Sequence, residues 1–200
     1  MEARHETDPR VPDEIRKRLA AQLQIDDCHL TGIPVPVLSR LRDLLAIDEL
    51  TGVLNRRAGL AALRAEIEAI RRSAEPELAL AFLDLDGLKF TNDTQGHAAG
   101  DAALREVAHT LKRCLRAGDI VFRYGGDEFV CALPHLQVQS AGALLLEAWR
   151  QLHDQRLLSF SAGFAELRNE DEAPGLIARA DECLSAGRRR YGRREWRWVS

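Results

Sequence analysis

Ile120-Val121-Phe122-Arg123-Tyr124-Gly125-Gly126-Asp127-Glu128-Phe129-Val130-Cys131-Ala132-Leu133 is a pair of short apolar runs joined across two glycines. β-Branched and aromatic residues on either side of a Gly-Gly turn predict a hairpin, with strands over 120–123 and 128–133. Glycine at the tip is expected to take positive φ and to let a bulky anion approach the backbone. Asp127 and Glu128 are the anomaly. Strand interiors disfavour acids, and like charges on neighbouring strands repel. Either the acids are solvated on a plain hairpin, or a bound cation gathers them.

Upstream, residues 78–83 form the clearest apolar run, closed by Asp84-Leu85-Asp86. The run is continuous rather than alternating, the pattern of a strand buried on both faces. The acids are read as lying just past its end. Residues two apart in extended chain point the same way, so both carboxylates can face one site, and hard divalent cations favour such oxygens. The alternative is an ordinary acidic turn. Helical periodicity marks 55–72, 102–115, 138–153 and 174–190, strand patterns mark 158–165, and 196–199 suits a terminal strand. This order is the split βαβ, or ferredoxin-like, arrangement of an α+β fold, with extra helices at both ends. It predicts an antiparallel-containing sheet with helices on one face. It also puts Asp84 beside the Gly125 turn, because the first and third strands are neighbours.

Between these segments lie Asn92 and Asp101. Asn92 suits a turn, and Asp101, just before the 102–115 helix, suits an N-cap. An amide and a carboxylate together also match the donors and acceptors of a guanine edge. Periodicity leaves both readings open.

The 200 residues are 46% hydrophobic and 30% charged, which excludes disorder. No run approaches the roughly twenty apolar residues of a membrane span. The charged first residues lack a secretory core, so the chain is expected to be cytoplasmic and not membrane-anchored. A net charge of −3 gives no nucleic-acid footprint. Cys28, Cys114, Cys131 and Cys183 are widely spaced, which excludes a disulfide framework or CxxC metal site and predicts mostly buried thiols. Six arginines against one acid over 188–197 are either a solvated helix end or a local phosphate site. Residues 1–47 read as a separate extension or stalk of unknown role, with weak helical patterns at 13–24 and 37–45, and 48–200 as the main domain.

Arg123-Tyr124-Gly125-Gly126-Asp127-Glu128-Phe129 resembles the signature of the GGDEF diguanylate cyclase family. Asp84-Leu85-Asp86-Gly87-Leu88-Lys89, Asn92-Asp93, Gly96-His97, Gly100-Asp101, the opening Asp48-Glu49-Leu50-Thr51-Gly52 and the late Ser161-Ala162-Gly163-Phe164-Ala165 are similar to its other motifs, in the same order. The resemblance implies a palm-type nucleotidyl cyclase domain that condenses two GTP into cyclic di-GMP, using Mg2+ or Mn2+, between two facing domains of a homodimer. It implies that Asp84, the Leu85 carbonyl and Asp127 hold metal, and that Asp127 or Glu128 helps remove the proton from the attacking hydroxyl. Asn92 and Asp101 would bind guanine with His97 and Lys89 beside the substrate, and Gly125 and Gly126 would admit the phosphates. Arg116 and Asp119, an RxxD separated by five residues from Gly125, fall where the family often carries a product-inhibition site. The C-terminal motif departs from the family's pattern. Ser185 stands for a tyrosine, Arg188 or Arg189 for a phosphate-binding lysine, and Arg193 for an arginine. The rival expectation is a weak or inactive module that senses cyclic di-GMP or GTP.

Overall fold

The computed structural model describes residues 26–34, 36–38, 45–73, 76–154 and 159–191, together with Lys17, Ala20 and Leu41. Contacts divide the chain into two compact units, Met1–Ile47 and Asp48–Ser200. In the first, a 3-10 turn spans Asp27–Leu30, and Ala20, Leu30 and Leu38 form a small buried cluster. Apart from Lys17 and Ala20, the helix expected at 13–24 lies outside the described residues, as does the whole strand expected at 196–199.

The second unit runs α1 (Arg56–Ile70), β1 (Leu78–Asp86), α2 (Leu88–Gln95), α3 (His97–Cys114), β2 (Ile120–Arg123), β3 (Glu128–Pro134), α4 (Val138–Asp154), β4 (Ser159–Glu166) and α5 (Ala173–Tyr191). The strands lie in the order β2-β3-β1-β4, each pair antiparallel. This is the α+β split βαβ frame, with β1 and β3 at its centre as expected.

Helices cover both faces of the sheet, not one. Ala79, Ala81, Leu83 and Leu85 of β1 pack with Leu104, Val107 and Leu111 of α3 and Leu145 and Leu152 of α4. Leu78, Leu80 and Phe82 point the other way, against Leu63, Ile67 and Ile70 of α1 and Leu176, Ile177 and Leu184 of α5. The cause is the continuous apolar run itself. Burying one such side chain contributes about 2 kcal/mol, and α3 and α4 can cover only alternate residues of it. The added helices α1 and α5 bury the rest. Asn55 starts α1 by accepting the amide of Ala58 at 3.0 Å.

Local readings around the first acids need correction. Asp84-Leu85-Asp86 lies within β1, not beyond it. Gly87, at φ 88°, then turns the chain directly into α2, a conformation that side chains with a Cβ resist. Asn92 is therefore helical rather than a turn residue. Gly96, at φ 86°, separates α2 from α3, which begins at His97. Asp101 sits inside α3, so it is not an N-cap.

Candidate active site

The end of β1 and the tip of the β2–β3 hairpin meet through the main chain. Asp84 pairs with Glu128 on β3 and Ser161 on β4. The amide of Leu85 donates to the carbonyl of Asp127 at 3.0 Å. That bond extends the ladder one rung beyond Glu128 and sets Asp127 beside the Asp84–Asp86 segment.

Strand alternation sends Asp84 and Asp86 to the face covered by α1 and α5. Arg188 of α5 meets them there. Its Nη2 lies 2.5 Å from Asp84 Oδ1, 3.1 Å from Asp86 Oδ1 and 3.3 Å from the Asp84 carbonyl oxygen. Ser161 Oγ donates to the second oxygen of Asp86 at 2.8 Å. Asp86 is only 8% exposed, and burial pushes its carboxyl above the usual range; Ser161 and Arg188 pull against that rise while Asp84 adds to it. Burial also raises Glu128, reinforced by repulsion from Asp127, Asp84 and Asp181 and opposed by Arg56. Acids from two strands and α5 thus crowd one end of the sheet, an arrangement stabilised by a cation or a proton.

Neither Gly125 nor Gly126 has positive φ, so that part of the expectation for the hairpin tip does not hold. Space is the reason at Gly125, where an added Cβ would fall 2.2 Å from Glu128 Oε2. At Gly126 a Cβ would meet nothing within 4 Å, which leaves the turn open to solvent on that side. Arg123 holds the turn from within. It donates through Nε to the Gly125 carbonyl at 3.2 Å, through Nη2 to that of Gly126 at 2.7 Å, and through Nη1 to Asp48 Oδ1 at 3.2 Å. Arg56 stacks 4.2 Å over the Tyr124 ring and donates to its hydroxyl at 3.1 Å.

Asp48 ties this turn to the opening motif, since it also accepts the amide and hydroxyl of Thr51 at 3.0 and 2.6 Å. Burial alone would raise its carboxyl, but Thr51 and Arg123 more than offset that, leaving it below its ordinary 3.8. A depressed carboxylate contributes stability that is present above the unfolded value and lost as pH falls through the folded one. Asp48→Asn is therefore expected to cost about 1–2 kcal/mol near neutrality. In urea titrations the gap from wild type should shrink below about pH 4; a gap independent of pH would contradict the assignment.

Asn92 of α2 lies against Gly100 of α3, the residue before Asp101. A Cβ on the buried Gly100 would fall 2.0 Å from Asn92 Oδ1, so the missing side chain makes room for the amide next to Asp101. Lys89 and His97 are exposed on the same two helices. Asp119 reaches back to accept the Arg116 amide at 2.8 Å, while its own amide donates to the Arg116 carbonyl at 3.0 Å. The Arg116–Asp119 pair therefore closes the α3–β2 turn, with Arg116 exposed and Asp119 half-buried. Arg193 lies outside the described residues.

Cys131 is buried, Cys114 and Cys183 are half-buried, and Cys28 is exposed, against the expectation of mostly buried thiols. Among the described residues, Cys28, Asp26 and His29 are the group of three side chains whose ligand atoms lie within 4.8 Å of one another. The set Asp84, Leu85 carbonyl and Asp127 has only two side-chain acids. Its chemistry nevertheless fits a hard cation, because carboxylate and carbonyl oxygens are the donors such an ion takes, and the Asp84 carboxylate already draws a positive centre, Nη2 of Arg188.

Residues 45–194 match the sequence profile of the family described as "Diguanylate cyclase, GGDEF domain". The chain belongs to the GGDEF family. Among curated relatives, "Diguanylate cyclase DgcP" of Pseudomonas aeruginosa is 36% identical over 152 residues, 71% of this chain and 22% of that protein. "Probable diguanylate cyclase DgcE" of Escherichia coli K12 is 45% identical over 150 residues, 70% of this chain and 14% of that protein. The chain thus spans less than a quarter of either. Among solved structures, the coiled coil and GGDEF domain of DgcB from Caulobacter crescentus in complex with c-di-GMP is 25% identical. It aligns with TM-score 0.75 over 93% of this chain and 98% of that one. A microbial GGDEF domain described with bis-(3,5)-cyclic di-GMP is 34% identical, with TM-score 0.69 over 77% of this chain and 97% of that one. Among the described residues of this GGDEF chain, no helix is long and apolar enough to cross a membrane.

The GGDEF motifs flagged most of the residues gathered here. Sequence reasoning paired Asp86 with Asp84 as a candidate cation ligand but gave no role to Ser161, Asp181 or the Asp48–Arg123 link. Asp48, Asp86, Arg123 and Ser161 stand inside quoted motifs, so a signal existed for them. Asp181 carries none, since only the seating of α5 brings it near Glu128.

Proposed function

We propose that this chain is a diguanylate cyclase that condenses two GTP into cyclic di-GMP and releases two pyrophosphates. The observation that carries the reading is the Leu85–Asp127 main-chain bond at 3.0 Å, which joins the acids of β1 to the Gly125-Gly126-Asp127-Glu128 turn. Asp84, the Leu85 carbonyl and Asp127 would hold Mg2+ or Mn2+, which when bound neutralises phosphate charge and acidifies a nearby hydroxyl. Asn92 and Asp101 take the guanine edge, with Lys89 and His97 beside the nucleotide. The open side of Gly126 admits the phosphates, and Arg188 and Arg193 supply positive charge to them. Asp127 or Glu128 accepts the proton of the attacking 3′-hydroxyl, and the burial and neighbouring acids that raise the Glu128 carboxyl strengthen it as a base.

Each domain holds one GTP, so a complete site needs two domains face to face, and a two-fold homodimer matches the two-fold product. Residues 48–200 are the cyclase domain in this reading, and 1–47 an extension that controls pairing. The experiment is incubation of the purified chain with GTP and Mg2+ followed by separation of nucleotides. Cyclic di-GMP and pyrophosphate are expected, with turnover per chain rising with protein concentration. GTP returned unchanged would leave the sensor reading. A strict monomer with concentration-independent turnover would contradict the dimer.

Arg116 and Asp119 are proposed to bind the product, the guanidinium gripping phosphate or guanine. Because Asp119 holds the turn through the Arg116 amide, not its side chain, Arg116→Ala should spare the turn. Its progress curves are expected to run longer before slowing, raising final product. Inhibition by added cyclic di-GMP equal to that of wild type would count against this site.

A further inference from the structure

We propose that Arg188 is a built-in competitor for the cation position at the end of β1, and that metal enters only as Arg188 leaves for the nucleotide phosphates. The inference rests on the cyclase reading above. One nitrogen, Nη2, draws together Asp84 Oδ1 at 2.5 Å, Asp86 Oδ1 at 3.1 Å and the Asp84 carbonyl oxygen at 3.3 Å. Asp84 is also a side chain of the metal set of Asp84, the Leu85 carbonyl and Asp127, so the guanidinium and a divalent ion would draw on the same carboxylate. The two cations cannot share the place. In a half-buried pocket their repulsion is poorly screened, and Asp84 cannot serve both with the same oxygen.

The arginine's hold is incomplete. Its Nε is buried with no hydrogen-bond partner among the described residues, and a buried donor left unbonded is costly. Guanidinium groups are best satisfied by planar, two-point acceptors such as phosphate. A triphosphate arriving beside the Gly126 turn offers those oxygens, while the arriving metal takes the carboxylates. Metal alone must evict Arg188 without offering it a new partner, and nucleotide alone must pull it from two acids left bare. Loading both together resolves both conflicts, so metal and nucleotide bind with positive coupling. Ser161 keeps Asp86 in position throughout, through its 2.8 Å bond to the other carboxylate oxygen.

The test uses the full chain and Mn2+ alone, with free ion counted by electron paramagnetic resonance and no nucleotide present. Arg188→Met, which keeps length and removes charge, is expected to bind Mn2+ about tenfold tighter, the equivalent of losing one charged hydrogen-bonded competitor. Arg188→Lys should stay near wild type. In Arg188→Met the factor by which GTP tightens Mn2+ should fall toward one. Mn2+ binding in Arg188→Met no tighter than in wild type overturns the proposal. Asp84→Asn in both backgrounds separates the two layers and subtracts ion held at Asp26, Cys28 and His29. If Asp84→Asn leaves Mn2+ binding intact, the metal reading of β1 fails; if it abolishes binding while Arg188→Met gains nothing, only the competition fails. A readout on wild type guards against a misfolded variant. The hindered Arg188 guanidinium signals in 15N NMR should change when Mg2+ and a non-hydrolysable GTP analogue saturate the site, and their persistence overturns the exchange.

Discussion

Asp127→Ala is expected to lower cyclic di-GMP formation by roughly 10³-fold, the scale of losing a positioned acid from a phosphoryl-transfer site. The same variant should fold as wild type. Asp127 is fixed to β1 by its main-chain carbonyl, which accepts the Leu85 amide at 3.0 Å, and truncation at Cβ leaves that bond in place. Asp127 also repels Glu128, whose carboxyl it helps to raise. Removing it relieves that repulsion, so the melting temperature should hold or rise slightly. Nucleotide separation after incubation with GTP and Mg2+ reads the first expectation, and thermal denaturation reads the second. Product formed at the wild-type rate would remove Asp127 from the chemistry. Loss of the fold would mean that its side chain bears structure that the hydrogen bonds do not reveal.

Gly163→Ala is expected to cost about 3 kcal/mol, the upper end for forcing one carbon into a packed interior, and to lower the melting temperature by roughly 10 °C. An added Cβ would lie 2.2 Å from the Ala180 carbonyl oxygen, 2.3 Å from the Leu184 amide nitrogen and 2.7 Å from Leu184 Cβ. Two of those neighbours are helix backbone, which cannot swing aside as a side chain can. The helix must move instead. Ala180, Leu184 and Arg188 follow one another at intervals of four, so they form a single stripe on α5 facing the sheet. Lifting α5 from β4 therefore also draws Arg188 away from Asp84 and Asp86. Calorimetry tests the cost, and the Mn2+ titration tests the displacement, since Gly163→Ala should bind Mn2+ alone more tightly than wild type. A melting temperature unchanged by the substitution would contradict the close β4–α5 seating.

The parts of this architecture legible in the sequence are those that local pattern dictates. The unbroken 78–83 run needed burial on two sides, and the paired glycines between β-rich segments needed a hairpin. From these the split βαβ order and the meeting of Asp84 with the Gly125 turn followed. The same unbroken run also argued against helices on one face only, and α1 and α5 cover the second. α2 was invisible because Thr91, Asn92, Asp93 and Thr94 are poor helix formers and only Leu88 of the helix is buried. It is held by packing on α3, where Gly100 makes room for Asn92. Without α2 the pattern starts α3 at residue 102, which is what makes an N-cap one of the two readings open for Asp101. The Gly-Gly turn showed a different limit: composition signalled glycine's presence, but the cause is the Glu128 carboxylate lying against Gly125, not positive φ. Arg188 sits in the stretch that departs most from the family's motif, and its contact with residues about a hundred positions upstream depends on the tertiary seating of α5.

In the cyclase reading, acids from β1 and from the hairpin tip share one divalent ion. Crystals of the full chain soaked with Mn2+ and a non-hydrolysable GTP analogue, measured at the manganese absorption edge, test it directly. An anomalous peak coordinated by Asp84 and Asp127 is expected, with the Arg188 guanidinium withdrawn toward phosphate. Manganese found elsewhere, with Arg188 still bonded to Asp84 and Asp86 beside a bound nucleotide, would contradict it.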